Sequence, residues 1–224
     1  MQNNAKTKRI TKILGLFLVA LVLIVVGFVS LPFILSITVR EYRVIKGIPA
    51  PIQIPVRNGS DSISGPNWTA NISFLASYEI QGLVVGVDDY SGNSLYDRIA
   101  PRDISLAWGD MAEHNNLIAW QRGEREMNAE VNSLSEWVIG KKYDELFSQY
   151  SNNHLIPKDN TILSEIRGVK RGDYIKLKGY LVNVKMYDKM EHGAYYELKS
   201  SLVRDDDGDS SCEVMYVIDL EYLD

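Results

Sequence analysis

The polar and apolar positions divide the chain into two regimes. Residues 13–37 read "ILGLFLVALVLIVVGFVSLPFILSI" without a charge. That run exceeds the roughly 20 residues a helix needs to cross a bilayer. A secretory signal has a shorter apolar core and a small-residue cleavage site. The run therefore predicts an uncleaved signal anchor, with a long signal peptide cut after Ser36 as the alternative. From about residue 68 the pattern becomes that of strands, apolar and polar positions alternating in short runs. Residues 101–113 predict a short helix or a structured loop. Residues 133–150 predict a helix from Leu134, Trp137, Val138, Tyr143, Leu146, Phe147 and Tyr150, with Ser133 and Glu136 as a capping box and Gly140 able to split it in two. Residues 160–167 predict another helix, capped by Asp159 and ended by Gly168. A β meander is expected to close the chain, over 174–187, 194–204 and 212–223.

Two strand-like stretches carry one shape. "YEIQGLVVGVDDY" (78–90) and "IKLKGYLVNVKMY" (175–187) share Gly82/Gly179, Val85/Val182, Val87/Val184 and Tyr90/Tyr187. In the second stretch Ile175 and Leu177 have one parity, while Val182, Val184 and Met186 have the other, and the switch follows Gly179. The first stretch switches after Gly82, between Tyr78 and Ile80 on one side and Val85 and Val87 on the other. Alternate strand residues face opposite ways, so a glycine beside a change of face predicts a bulge or bend. Long bent strands belong to small barrels and orthogonal sandwiches. The alternative is a pair of straight strands buried on both faces.

The expected fold is therefore α+β, mainly β. A cytoplasmic tail (1–12) and a transmembrane anchor (13–37) precede a connector (38–67) rich in proline and glycine. One β-rich domain (68–224) follows, either an OB-like small barrel or an orthogonal sandwich, with one or two helices. Lys6, Lys8, Arg9 and Lys12 precede the span, against Arg40, Arg43 and Lys46 just after it, so the N-terminus is expected in the cytoplasm. Residues 38–224 hold all 29 acidic and 20 of the 24 basic residues, a net charge of −9. Such a surface is poorly suited to phosphate backbones or anionic lipid headgroups, so no nucleic acid is expected as a partner. The single Cys212 excludes an internal disulfide framework and a cysteine-built zinc site. "NGS", "NWT" and "NIS" at Asn58, Asn67 and Asn71 match a glycosylation sequon that arises by chance in a stretch rich in Asn and Ser.

"SNNHLIP" (151–157), "KRGDYIKLKGYLVNV" (170–184) and "SSLVRDDDGDSSCEVMYV" (200–217) resemble motifs of an uncharacterised family of bacterial membrane-anchored proteins, as do "ASYEIQGLVVG" (76–86) and "PRDISLAWGDMA" (101–112). The family's loop before the cysteine more often reads D-T-G-x-G-x-C-E, and residues 206–212 depart from that spelling. The resemblance implies a bacterial source and an envelope location, and no particular activity, cofactor or substrate.

Candidate chemistry is sparse. Asp205, Asp207 and Asp209 suggest calcium, but counted from Asp205 an EF-hand loop has Ser210 at its glycine position and Tyr216 at its final glutamate position. They remain weak metal candidates in what otherwise reads as a solvated turn. Cys212 shares a parity with Val214, Tyr216, Ile218 and Leu220, which predicts an inert core thiol. His154 is the histidine of interest because Leu155 and Ile156 follow it. With Arg204 and Asp205 it forms the candidate catalytic set, against the alternative of a structural hydrogen bond. Trp108 and Trp120 are candidates to line a ligand groove, although most of the aromatics are expected in the core. P-loop, dinucleotide, G-x-S-x-G and H-E-x-x-H signatures are absent from the sequence, and no cofactor is expected. The favoured expectation is a binding module, single-pass in the bacterial inner membrane, whose extracytoplasmic domain meets an envelope protein or peptide. The alternative is an envelope hydrolase using His154 with Asp or Ser groups.

Overall fold

A computed structural model of the chain describes residues 42–92, 94–189, 194–203 and 212–224, together with Val19 and Arg40, both helical. The predicted span 13–37 lies, but for Val19, outside the described residues. No helix among the described residues is long and apolar enough to cross a membrane. Contacts separate Met1–Glu41 from Tyr42–Asp224, and the architecture below is that of the second unit.

The domain is mainly β. Its strands are β1 (Ile52–Pro55), β2 (Ser60–Ser64), β3 (Trp68–Asp89), β4 (Arg102–Ala107), β5 (Ile118–Arg122), β6 (Met127–Val131), β7 (Tyr150–Pro157), β8 (Tyr174–Asp188), β9 (Ala194–Lys199) and β10 (Glu213–Leu223). The helices are α1 (Leu95–Ile99), α2 (Gly109–Glu113), α3 (Tyr143–Phe147) and α4 (Asn160–Gly168). Eight strands form one sheet, and β5 and β6 form a separate hairpin. β3, β4, β7, β10 and β8 pair in that order, and β8 pairs back onto β3, so these five strands close into a ring. All the ring pairings are antiparallel except that of β7 with β10.

The ring has an apolar interior, to which all five strands contribute. Tyr78 and Ile80 of β3, Ile104 and Leu106 of β4, Leu155 of β7, Met215 and Val217 of β10 and Ile175, Leu177 and Leu181 of β8 form one cluster. α4 covers it with Ile162 and Ile166. This helix is the one predicted, one residue longer at its end. The Asp159 carboxylate accepts from the amides of Thr161 and Ile162 at 2.9 and 3.0 Å, two of the donors that a helix start leaves unpaired. At its other end the buried Arg102 donates to the carbonyls of Ile166 and Val169, both at 2.9 Å. A second cluster lies on the outer face: Ala70 and Ile72 of β3, Val182, Val184 and Met186 of β8, Val214 and Tyr216 of β10, covered by Leu95 and Ile99 of α1.

Several sequence expectations change. Residues 101–113 are neither a single helix nor a loop. They give strand β4 and then α2, because Arg102, Ile104 and Leu106 alternate with Asp103 and Ser105. Residues 133–150 hold only the five-residue helix α3. Residues 133–140 form turns, and Gly140 has φ +84, which ends any helical path there. The closing strands are not a simple meander. β9 and β10 share one edge of β8, β10 along residues 174–181 and β9 along 183–188. The segment 38–67, read as connector, adds β1 and β2 to the sheet beside β3. Pro51 stands just before β1, Pro55 ends it and Pro66 lies in the turn after β2, where no ladder N–H is needed.

Candidate functional site

The antiparallel register of β4 and β7 sets Asp103 opposite His154 and Ser105 opposite Asn152. Their neighbours Ile104 and Leu155 point into the ring, so these four side chains share its outer face. There they meet two insertions. The β5–β6 turn delivers Arg125, and the β3–β4 connection delivers Tyr90, Tyr96 and Asp97.

A dense polar network results. His154 Nδ1 lies 2.9 Å from Asp103 Oδ1. The approach is off the ring's N–H axis, so the pair is an ion contact rather than an aligned hydrogen bond. Tyr90 donates its hydroxyl proton to Asp103 Oδ2 at 2.7 Å. Arg125 donates to Asp97 Oδ1 at 2.6 Å, stands 3.8 Å from Asp103 Oδ1, and lies over the Tyr90 ring at 3.8 Å. Asn152 Nδ2 donates to the Arg125 carbonyl at 3.0 Å, and its Oδ1 accepts from Ser105 at 2.8 Å. Arg125 holds φ +57, the only non-glycine residue so placed among the described residues. Such a backbone costs a non-glycine residue of order 1 kcal/mol, and here it aims the carbonyl at Asn152 and the guanidinium at Asp97.

The charges are matched and mostly hidden. Asp103 is 2% exposed and His154 8%. Burial alone would lower the His154 pKa. The Asp103 carboxylate and the neighbouring Cys212 outweigh it and push the pKa up to about 9, so the ring is an imidazolium at neutral pH. Burial would also raise Asp97, but the hydrogen bonds from Arg125 and from Ser94 hold it below the ordinary carboxylate range. The Tyr90 hydroxyl is raised, first by burial and then by Asp103.

Beside His154 the network borders a cleft. The cleft, of about 360 Å³, lies between β9 and the β7–β10 pair, lined by Tyr96, His154, Glu197, Leu198, Lys199, Cys212 and Val214. Cys212 stands one residue ahead of β10, with its Sγ 3.6 Å from the Arg125 carbonyl oxygen and 4.0 Å from Asn152 Nδ2. It is half-buried in the cleft and belongs to neither apolar cluster, unlike the core thiol that strand parity predicts.

Of the sequence candidates among the described residues, only His154 is at this site. Arg204, Asp205, Asp207 and Asp209 lie outside the described residues. Trp108 is buried in the ring interior. Trp120 packs against the same interior and donates to Asn115 Oδ1 at 2.8 Å. Neither lines the cleft. His114 stacks on Trp137 at 4.4 Å. Among the described residues no group of three or more His, Cys, Asp or Glu side chains could hold a metal ion. Sequence reasoning missed Asp103, Asn152 and Arg125. The first two had a signal, since in "RDISLA" Asp103 and Ser105 alternate with Ile104 and Leu106, and in "SNNHL" Asn152 lies two residues from His154, on the same strand face. Arg125 had none, because a turn and a backbone twist bring it in.

No family model, no curated protein and no solved structure matches the chain, and the reading of the site rests on its geometry.

Proposed function

We propose that this chain is a single-pass, membrane-anchored binding module of the bacterial envelope, an OB-type barrel that captures an extended peptide in the cleft beside β9. The closed five-strand ring with one parallel pairing supports the barrel type. In OB barrels the ligand face is formed by the second and third strands and by the loops joining strands one to two and four to five. Here those strands are β4 and β7. The first loop carries α1 with Tyr96, and the second carries β9 and Cys212. The cleft lies where these parts meet.

The observation that favours a peptide is the edge of β9. Among the described residues β9 pairs with β8 alone, and its Glu197, Leu198 and Lys199 line the cleft. A strand edge offers unpaired backbone groups to a second extended chain. Tyr96 already donates to the Glu197 carbonyl at 3.3 Å, as an incoming amide would. The acidic domain argues against the oligonucleotides that other OB barrels bind.

Selection of phage-displayed heptapeptides on the full chain in detergent, followed by hydrogen exchange with the best peptide, tests the binding. Protection of the amides of 195–199 is expected. No enrichment, or protection confined to β5 and β6, would reject this reading. For the anchor and its orientation, Cys212→Ser with Ser62→Cys places one thiol on the exposed β2. A membrane-impermeant maleimide should label it in intact cells, after outer-membrane permeabilisation where one exists. Labelling of Asn3→Cys instead would reverse the topology.

A further inference from the structure

We infer that Cys212 is a nucleophilic thiol served by His154, and that the cleft takes an acyl substrate, the ester or amide carbonyl of an extended chain. The extended chain rests on the binding reading above. The nucleophile does not.

Three placements carry the inference. Cys212 and His154 both line the cleft, so a substrate atom entering it meets sulfur and imidazole together. His154 is more than nine-tenths buried, yet its Nδ1 has no aligned hydrogen bond. Asp103, on the opposite strand, stands 2.9 Å from that nitrogen and holds the ring from behind. With Nδ1 occupied by Asp103, Nε2 is the atom left to serve the sulfur. A nucleophile, a base and a carboxylate brought to one place is the grouping by which thiols and hydroxyls are activated on unrelated folds. Asp103 and His154 come from β4 and β7, which the strand pairing holds side by side, and Cys212 immediately precedes β10, whose first paired residue, Glu213, lies opposite Asn153 of β7. Asn152 Nδ2, which donates to the Arg125 carbonyl at 3.0 Å, stands 4.0 Å from the sulfur and helps to fix its position.

The chemistry is balanced without a further reagent. The thiol proton rests on His154 Nε2. The sulfur forms a bond to the acyl carbon and the substrate's carbon–oxygen or carbon–nitrogen bond breaks. The imidazolium returns its proton to the leaving atom. Water, deprotonated by the neutral ring, then cleaves the thioester and restores the thiol. This use differs from a His154 base acting with serine groups, since a ring already protonated at neutral pH serves a sulfur anion better than a neutral hydroxyl.

The single cysteine makes the test direct. The full chain in detergent micelles is alkylated with iodoacetamide from pH 5.5 to 9.5, and adducts are counted by mass spectrometry. The expected rate at pH 6 is about tenfold or more above that of glutathione and nearly level to pH 8. In His154→Gln it should fall by about tenfold at pH 6. A wild-type rate that climbs tenfold per pH unit to about 8.5, as for a free thiol, would overturn the inference. So would a thiol labelled only in urea. Both readings come from the wild type alone, so poor folding of the variant leaves the test intact. A second arm uses p-nitrophenyl acetate. A burst of nitrophenol with an acetyl adduct on Cys212, absent in Cys212→Ser, is expected. A fast-alkylating thiol that forms no adduct would overturn the acyl substrate. Neither arm needs a bound peptide, so failure here and failure of the binding reading are separable.

Discussion

β3 and β8 carry nearly the same local pattern and use it differently. They lie side by side, paired from Trp68↔Asp188 to Leu83↔Tyr174, with Tyr78 opposite Gly179 and Gly82 opposite Ile175. In β8 the change of parity is a real change of environment. Ile175, Leu177 and Leu181 fill the ring, while Val182, Val184 and Met186 pack in the outer cluster. In β3 it is not. Tyr78, Ile80, Leu83, Val84 and Val85 all join the ring interior, with Val87 packed against it. β3 makes its own crossing earlier, at a bulge between Phe74 and Ala76, opposite Val182 and Leu181 of β8. A second irregularity, between Val84 and Gly86, shifts its register against β4. The same thirteen-residue pattern thus acquires its meaning from the strands beside it, because a bulge on either partner moves side chains to the other face.

The two glycines differ just as much, and substituting them is the strongest way to break the comparison. A Cβ at Gly179 would overlap the carbonyl oxygen of Tyr216, backbone that cannot swing aside. Next to it β10 carries its own register shift, between Val217 and Asp219. A Cβ at Gly82 would stand 2.9 Å from Leu106 Cβ and 3.1 Å from the Ala107 carbonyl oxygen, a smaller overlap, but also on atoms fixed to the backbone. Gly179→Ala should therefore cost about 4 kcal/mol and Gly82→Ala about 2 kcal/mol. In a domain of this size those are falls in Tm of about 12 and 6 °C. Circular dichroism melts of the full chain in detergent would measure both. Equal losses would mean that the two strands are equivalent after all.

How much of this the sequence carried depended on range. Asp159 and the residues after it specify α4 because capping acts within one turn. The runs 174–187 and 212–223 were readable because strand alternation is equally local. The glycines announced a tight place without saying what was tight, since the obstacle at Gly179 is another strand. The helix expected over 133–150 failed because apolar spacing there serves contacts that turns also make, such as Trp137 against His114. At the site, His154 was legible as a pinned histidine. Its partner Asp103 was hidden by the uncertain reading of 101–113. Cys212 shares the face of Val214 as parity predicts, but at that end the face borders the cleft, so the thiol is half-buried rather than in the core.

Acid–base behaviour sharpens the contrast between an apolar inner face and an outer face that holds buried charge. The folded His154 titrates at about 9, above its ordinary value of 6.5. A raised histidine adds stability that is fully present below the unfolded pKa and disappears as pH rises through the folded one. The window is therefore about pH 6.5 to 9. The contribution at its acid end is of order 3 kcal/mol. Melts of the wild type and of His154→Gln across this range should converge, the wild type falling by about 10 °C relative to the variant. Parallel profiles would show that the imidazolium is not held by Asp103 and Cys212.

The smallest effect concerns how the outer cluster is fastened. Tyr216 lies in that cluster, close to Phe74, which also stacks on Tyr180. Its hydroxyl donates to Asp61 Oδ2 of β2 at 2.5 Å. That bond, followed by the Ser62 amide, holds the Asp61 carboxyl below its usual range. Asp61 is exposed, so the bond is worth only about 1 kcal/mol. Tyr216→Phe keeps the ring and removes the bond, and should lower Tm by about 3 °C at neutral pH. A lowered carboxylate contributes above its unfolded pKa and ceases to contribute as pH falls through the folded one. The difference between Tyr216→Phe and wild type should accordingly shrink as the pH is taken below about 4. A gap that persists unchanged in acid would mean that the hydroxyl acts through ring packing, and that β2 is held by its backbone pairing with β3 alone.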